Sequence, residues 1–195
     1  MSKSDPAAMK KERNKTIRWV VTIFFVTVFV SSAISLLSDY IMSVSGMFVA
    51  FAILLLIVLI GILFDIVGVA VTSADEKPFH SMASRKVPGA LDSIKLLRNA
   101  ERVSSICNDV VGDICGVISG SASATIAAQM AARMGQDKLM VIGLVMSGLV
   151  AGLTVGGKAI GKTFAIGSCT GIVTFVGKFF HFIHHPIHAL RKKKK

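Results

Sequence analysis

The chain has 195 residues, room for a single domain, but 53% of them are apolar and the mean hydropathy is +0.69. Charged residues make up only 17% and gather at the ends and in one internal segment, so long apolar stretches are left with nothing to solvate them. This excludes an ordinary soluble enzyme. The 22 Lys and Arg against 11 Asp and Glu give a net charge of +11, which in a soluble protein suggests nucleic acid. Here the basic residues flank apolar spans, which points to anionic lipid headgroups and to no nucleic acid. The three cysteines lack CxxC spacing. Cys107 and Cys115 are about 12 Å apart if helical, beyond disulfide reach.

Residues 1–16 carry Lys3, Lys10, Lys11, Arg13 and Lys15 with little apolar content, and their composition predicts a disordered basic cytoplasmic tail. Ile17 to Leu37 supplies the ~20 residues needed to cross ~30 Å of hydrocarbon, with Trp19 as an interfacial anchor at its start. A cleaved signal peptide ending near Ser31 or Ala33 is the rival, disfavoured because the stretch outruns a usual apolar signal core. The loop Ser38 to Gly46 has no Lys or Arg. A second span follows at Met47 to Val71, with Asp65 inside it.

Thr72 to Arg102 is basic, broken by Pro78 and Pro88, with Leu91, Ile94 and Leu97 at helical spacing, and it predicts an amphipathic interfacial helix. The third span, about Val103 to Ala132, carries Asn108, Asp109 and Asp113 along with several serines, too polar to face lipid all round. Leu139 to Val155 is a short, glycine-rich fourth span. Whether 164–190 cross is a question of charge. A basic tail inside places the basic linker and Lys158 and Lys162 inside after four spans, and a fifth crossing would export Arg191 and the four terminal lysines. The stretch therefore reads as a helical hairpin or interfacial helix on the cytoplasmic side. The expected architecture is all-α, a polytopic, multi-pass protein of the cell membrane with about four transmembrane helices plus amphipathic interfacial helices.

Four segments, FDIVGVAVTSADE, KLLRNAERVSSICNDVVGD, GGKAIGKTFA and HPIHAL, stand in an order that resembles the transmembrane domain of the CNNM/CorC (CorB) family of magnesium and cobalt transport proteins. The resemblance divides the chain into a basic tail (1–16), an additional N-terminal helix and loop (17–46), a CNNM/CorC-like domain (47–190) without CBS domains, and a basic C-terminal tail (191–195). It implies a dimer with a polar cation cavity, lined by hydroxyls of the first helix, an Asn of the second and an acid of the third. Asn108 matches that Asn, and Asp109 and Asp113 take the places of later amide residues. The hydroxyl positions fall at Asp65 and Val67, the acid falls near Lys158, and no Asp or Glu occurs after Asp137.

Ionisable residues at bilayer depth are functional candidates by default. Asp65, Asn108, Asp109 and Asp113 form the candidate metal site, because a hard cation such as Mg2+ takes oxygen ligands and retains waters. The opposing reading is that Lys158 or Lys162 pairs with one of these carboxylates and neutralises it. The expected function is divalent cation transport or homeostasis. The rival is a non-transporting membrane scaffold or regulator in which Lys158 replaces the bound cation. No nucleophile and base pair suggests an enzyme.

Gly156 to Thr163 matches GxxxxGK[ST], but it follows a glycine-rich apolar run rather than a strand, and no acid follows it for magnesium, so nucleotide binding is disfavoured. Gly148, Gly152 and Gly156, like Gly112, Gly116 and Gly120, recur every four residues, strips that join the two helices to each other or to a second protomer. His181, His184, His185 and His188 share a helical face suited to a transition metal, against which Pro186 breaks the helix.

Overall fold

The computed structural model describes residues 6–44 and 46–184, with side chains described in 16–38, 40–41 and 46–183. These residues form helices and short connections, with no strand among them. Four helical stretches are long and apolar enough to cross a membrane: Thr16–Ser38, Met47–Ser73, Ala100–Met134 and Gln136–Gly167. The described residues are accordingly those of a helical, multi-pass membrane protein.

The first helix, α1 (Pro6–Val44), begins well inside the segment whose composition predicts disorder and runs through the expected loop after Ser38. Ala7, Ala8, Met9, Lys10, Lys11 and Glu12 are all strong helix formers, and a helix nucleated by an adjoining apolar span propagates through them at little cost. The second helix, α2 (Met47–Ser73), has 27 residues, roughly 40 Å at 1.5 Å per residue.

Two short helices, α3 (Lys77–Ser84) and α4 (Ala90–Arg98), make up the basic linker. Gly89 precedes α4 at φ 84°, in the left-handed region. Then α5 (Ala100–Ser105), a π-helical stretch (Ile106–Gly112) and α6 (Asp113–Met134) continue as one 35-residue rod. The wide turn falls on Asn108 and Asp109 and re-aims their side chains, a frequent use of π-turns. Next, α7 (Leu139–Gly167) is longer than the expected span because Gly156 to Thr163 stays helical. Finally α8 (Cys169–His184) contributes 16 described residues, ~24 Å.

Packing centres on α2, which touches α5, the π-stretch, α6, α7 and α8, while α1 lies against α6. Two apolar clusters bracket the bundle. Ala50, Leu54 and Val58 of α2 meet Ala122, Ile126 and Ala127 of α6 and Met146 of α7. At the other end Ala70 and Val71 meet Phe79, Ile94, Ala165 and Val173, tying α2 to α3, α4, α7 and α8.

Glycines set the helix separations, but only in part those of the expected strips: Gly112 faces Lys158 of α7, while Gly116 and Gly120 have nothing near their Cβ positions. Gly148, Gly152 and Gly156 have nothing near their Cβ positions, so on α7 they do not join helices within the described chain. The close approach is made one residue on: Gly157 abuts Ile62, and a Cβ on Gly161 would fall 2.8 Å from the Ile66 side chain. Gly61 likewise admits Cys115 of α6, whose Cβ would lie 2.9 Å from a Gly61 Cβ. Small residues four apart let membrane helices gain van der Waals contact where lipid offers no hydrophobic drive.

Candidate functional site

Between the two apolar clusters lies a polar layer. Asp65 sits in α2 eight residues before its end, about 12 Å along the axis, and so at depth in a span. Lys158 of α7 approaches it, with Nζ 3.6 Å from Asp65 Oδ1 and side chains only 29% and 16% exposed for Lys158 and Asp65. The distance makes this a charge contact rather than a tight hydrogen bond. Gly112 of the neighbouring rod makes room for the ammonium, since a Cβ there would stand 3.3 Å from Nζ. Two opposite charges taken out of water compensate each other, and removing either leaves the other uncompensated.

Asn108 enters the same layer from the π-stretch. Its Nδ2 donates to Ser104 Oγ at 3.2 Å, one turn back. Its Oδ1 is buried without a hydrogen-bond partner and faces Gly68 of α2, where any side chain would overlap the amide. Gly68 follows Asp65 by three residues and therefore shares its helix face. Asp65, Lys158, Asn108, Gly68 and Gly112 thus meet where α2, α7 and the π-stretch come together.

The structure does not bring the remaining two candidates there. Asp109 is exposed and accepts a hydrogen bond from Ser105 Oγ at 2.8 Å, and Asp113, the first residue of α6, is exposed as well. Among the described residues no group of three or more His, Cys, Asp or Glu side chains is placed to hold a metal ion. Of the four candidates, the layer holds one carboxylate, already opposed by an ammonium, and one amide oxygen, a sparse set for a hard cation.

The other motifs resolve as follows. Gly156 to Thr163 lies within α7, and residues inside a continuous helix spend their N–H groups on its own carbonyls, leaving none to cradle a phosphate. Lys162 is exposed. Of the four histidines, His181 has Nδ1 3.3 Å from Asp92 Oδ2 of α4, while the His184 side chain, His185 and His188 lie outside the described residues.

That contact belongs to a second junction, where α8 docks on α4. Ser93 Oγ shares its proton between the carbonyls of Gly89 and Val173, both at 3.1 Å, and a Cβ on Gly177 would fall 2.7 Å from the Gly89 carbonyl oxygen. Burial raises the Asp92 pKa, but the hydrogen bonds and charges of Lys95 and His181 outweigh it and hold the carboxyl below its ordinary value.

No protein-family model, no curated protein and no solved structure matches the chain. Its chemistry has to be argued from these residues. Sequence reasoning placed Asp65, Asn108 and Lys158 in one argument and named Gly112 as a packing glycine, but missed Gly68. The only signal for Gly68 is its spacing of three from Asp65, and nothing in the sequence says which neighbour a glycine admits.

Proposed function

We propose that the chain is a non-transporting membrane scaffold or regulator in which the tethered ammonium of Lys158 stands in the place of a bound cation. The observation that carries this reading is the Asp65–Lys158 pair at 3.6 Å in the polar layer. A lysine there supplies one positive charge that cannot leave, so the layer is neutral without an ion and has no cargo to release. The CNNM/CorC-like order of segments is then retained for its helix packing, while the ion chemistry is not.

On this reading the protein sits in the cell membrane with both termini in the cytoplasm. Its basic ends and linker face anionic headgroups, and α4 and α8 lie at the interface. The open glycine strip at Gly148, Gly152 and Gly156 is the surface for homodimerisation. The role is binding and assembly rather than catalysis.

A second reading, magnesium or cobalt transport through Asp65, Asn108, Asp109 and Asp113, is favoured by one observation, the buried Asn108 Oδ1 with no hydrogen-bond partner. Ion flux separates the two. Full-length protein in liposomes loaded with a magnesium-sensitive dye should show no flux above empty vesicles. Saturable flux abolished by Asp65→Asn would establish the transport reading instead.

A further inference from the structure

A cavity of about 280 Å³ opens between α1 and α5, next to the apolar stretches that begin at Thr16 and Ala100. Among the described residues it is lined by Thr16 and Trp19 of α1 and by Glu101 and Arg102 of α5. Glu101 and Arg102 also line a neighbouring polar cavity of about 580 Å³ on the linker side. Neither of these two side chains is in an ion pair among the described residues. A carboxylate, a guanidinium and an indole therefore surround one open space where two spans enter the bilayer.

We propose that this cavity binds the headgroup of a zwitterionic phospholipid carrying a primary ammonium, of the phosphatidylethanolamine class. A guanidinium takes phosphate oxygens in a two-pronged, charge-assisted geometry. The lipid's ammonium, a few bonds from its phosphate, donates to the Glu101 carboxylate. Trp19, 37% exposed, lies near the start of the α1 span and supplies the indole that favours the membrane interface. A purely anionic headgroup would leave Glu101 facing like charge, and a choline headgroup has no N–H to donate to it. Below the cavity the outer faces of α1, with Val20, Phe24 and Phe25 exposed, provide an apolar wall for the acyl chains. The site is independent of the Asp65–Lys158 layer and of the function assigned to it.

The test uses the full chain in detergent, titrated with phosphatidylethanolamine, phosphatidylcholine and phosphatidylglycerol of identical acyl chains, with bound lipid counted by native mass spectrometry. Phosphatidylethanolamine should bind about tenfold more tightly than either of the others, the difference one charge-assisted hydrogen bond makes. Glu101→Gln should remove that preference and leave phosphatidylglycerol binding no weaker. Arg102→Gln should weaken all three. Both side chains are exposed, so the variants should keep the parent's melting temperature. Equal binding of the three lipids by the parent, or an unchanged preference in Glu101→Gln, would overturn the proposal. Soluble phosphoethanolamine binding as tightly as the lipid would overturn it too, by identifying a soluble ligand.

Discussion

The ammonium of Lys158 lies 3.6 Å from the carboxylate of Asp65, and this contact joins the two helices, α2 and α7, that also meet through Gly157 and Gly161. The relationship is geometric before it is electrostatic. Gly161 and Gly157 let α7 ride close over Ile66 and Ile62, and the same register carries Lys158, one residue past Gly157, to Asp65, one residue before Ile66. Helix spacing and charge pairing therefore depend on the same few residues.

Glycine substitutions distinguish this contact from the outer strip. Gly161→Leu should prevent α7 from seating on α2 and cause loss of folded material in detergent, because the added side chain meets Ile66. Gly152→Leu meets nothing within the described chain and should leave the melting temperature of the monomer unchanged, while lowering any dimer fraction. Size-exclusion chromatography with light scattering, alongside thermal melting, reads both. Equal damage from the two substitutions would mean that the strip at Gly152 is packed.

Gly68 and Asn108 should be energetically coupled. Gly68→Ala places a methyl group on the Asn108 amide and should destabilise by about 2 kcal/mol, the usual scale for overpacking a filled interior. Asn108→Ser vacates that space, so Gly68→Ala should cost markedly less on that background. Chemical denaturation in detergent of the four proteins gives the coupling. Additive effects would show that Asn108 does not rest against Gly68.

The junction of α4 and α8 carries a pH dependence of fixed sign. The Asp92 carboxyl is held below its ordinary value of 3.8, so its contribution is complete above that value and is lost as pH falls through the lowered one. Spin labels on α4 and α8 should spread as pH falls below about 4, where Asp92 takes up its proton. Asp92→Asn should remove this acid transition. An unaltered transition in that variant would assign it to another group.

Much of the fold was legible because long apolar runs admit few structures: in hydrocarbon every backbone group must be satisfied within the helix. The errors fell where that constraint relaxes. Pro6 to Lys15 looks unstructured by composition yet is helical, because propagation from a neighbouring span matters more than local apolar content. Of the two roles open to the glycine strip on α7, joining helices within the chain falls instead to the adjacent face at Gly157 and Gly161, since a period of four fits either. Asp65 and Lys158 stood among the possible partners, but choosing Lys158 over Lys162 requires the rotation of α7 about its axis, which the glycine contacts set. The π-stretch was invisible, and with it the separation of Asn108 from Asp109 and Asp113. One extra residue per turn changes which side chains share a face.

The most direct test of Lys158 as a built-in cation is the magnesium dependence of melting temperature across the parent, Asp65→Asn, Lys158→Met and the double variant. Each single change strands a buried charge and should cost about 3 kcal/mol, and the double variant should recover much of that loss. Magnesium should leave the parent unmoved and stabilise only Lys158→Met, where Asp65 is left without its ammonium. Saturable stabilisation of the parent by magnesium, lost in Asp65→Asn, would contradict the account and restore a cation site.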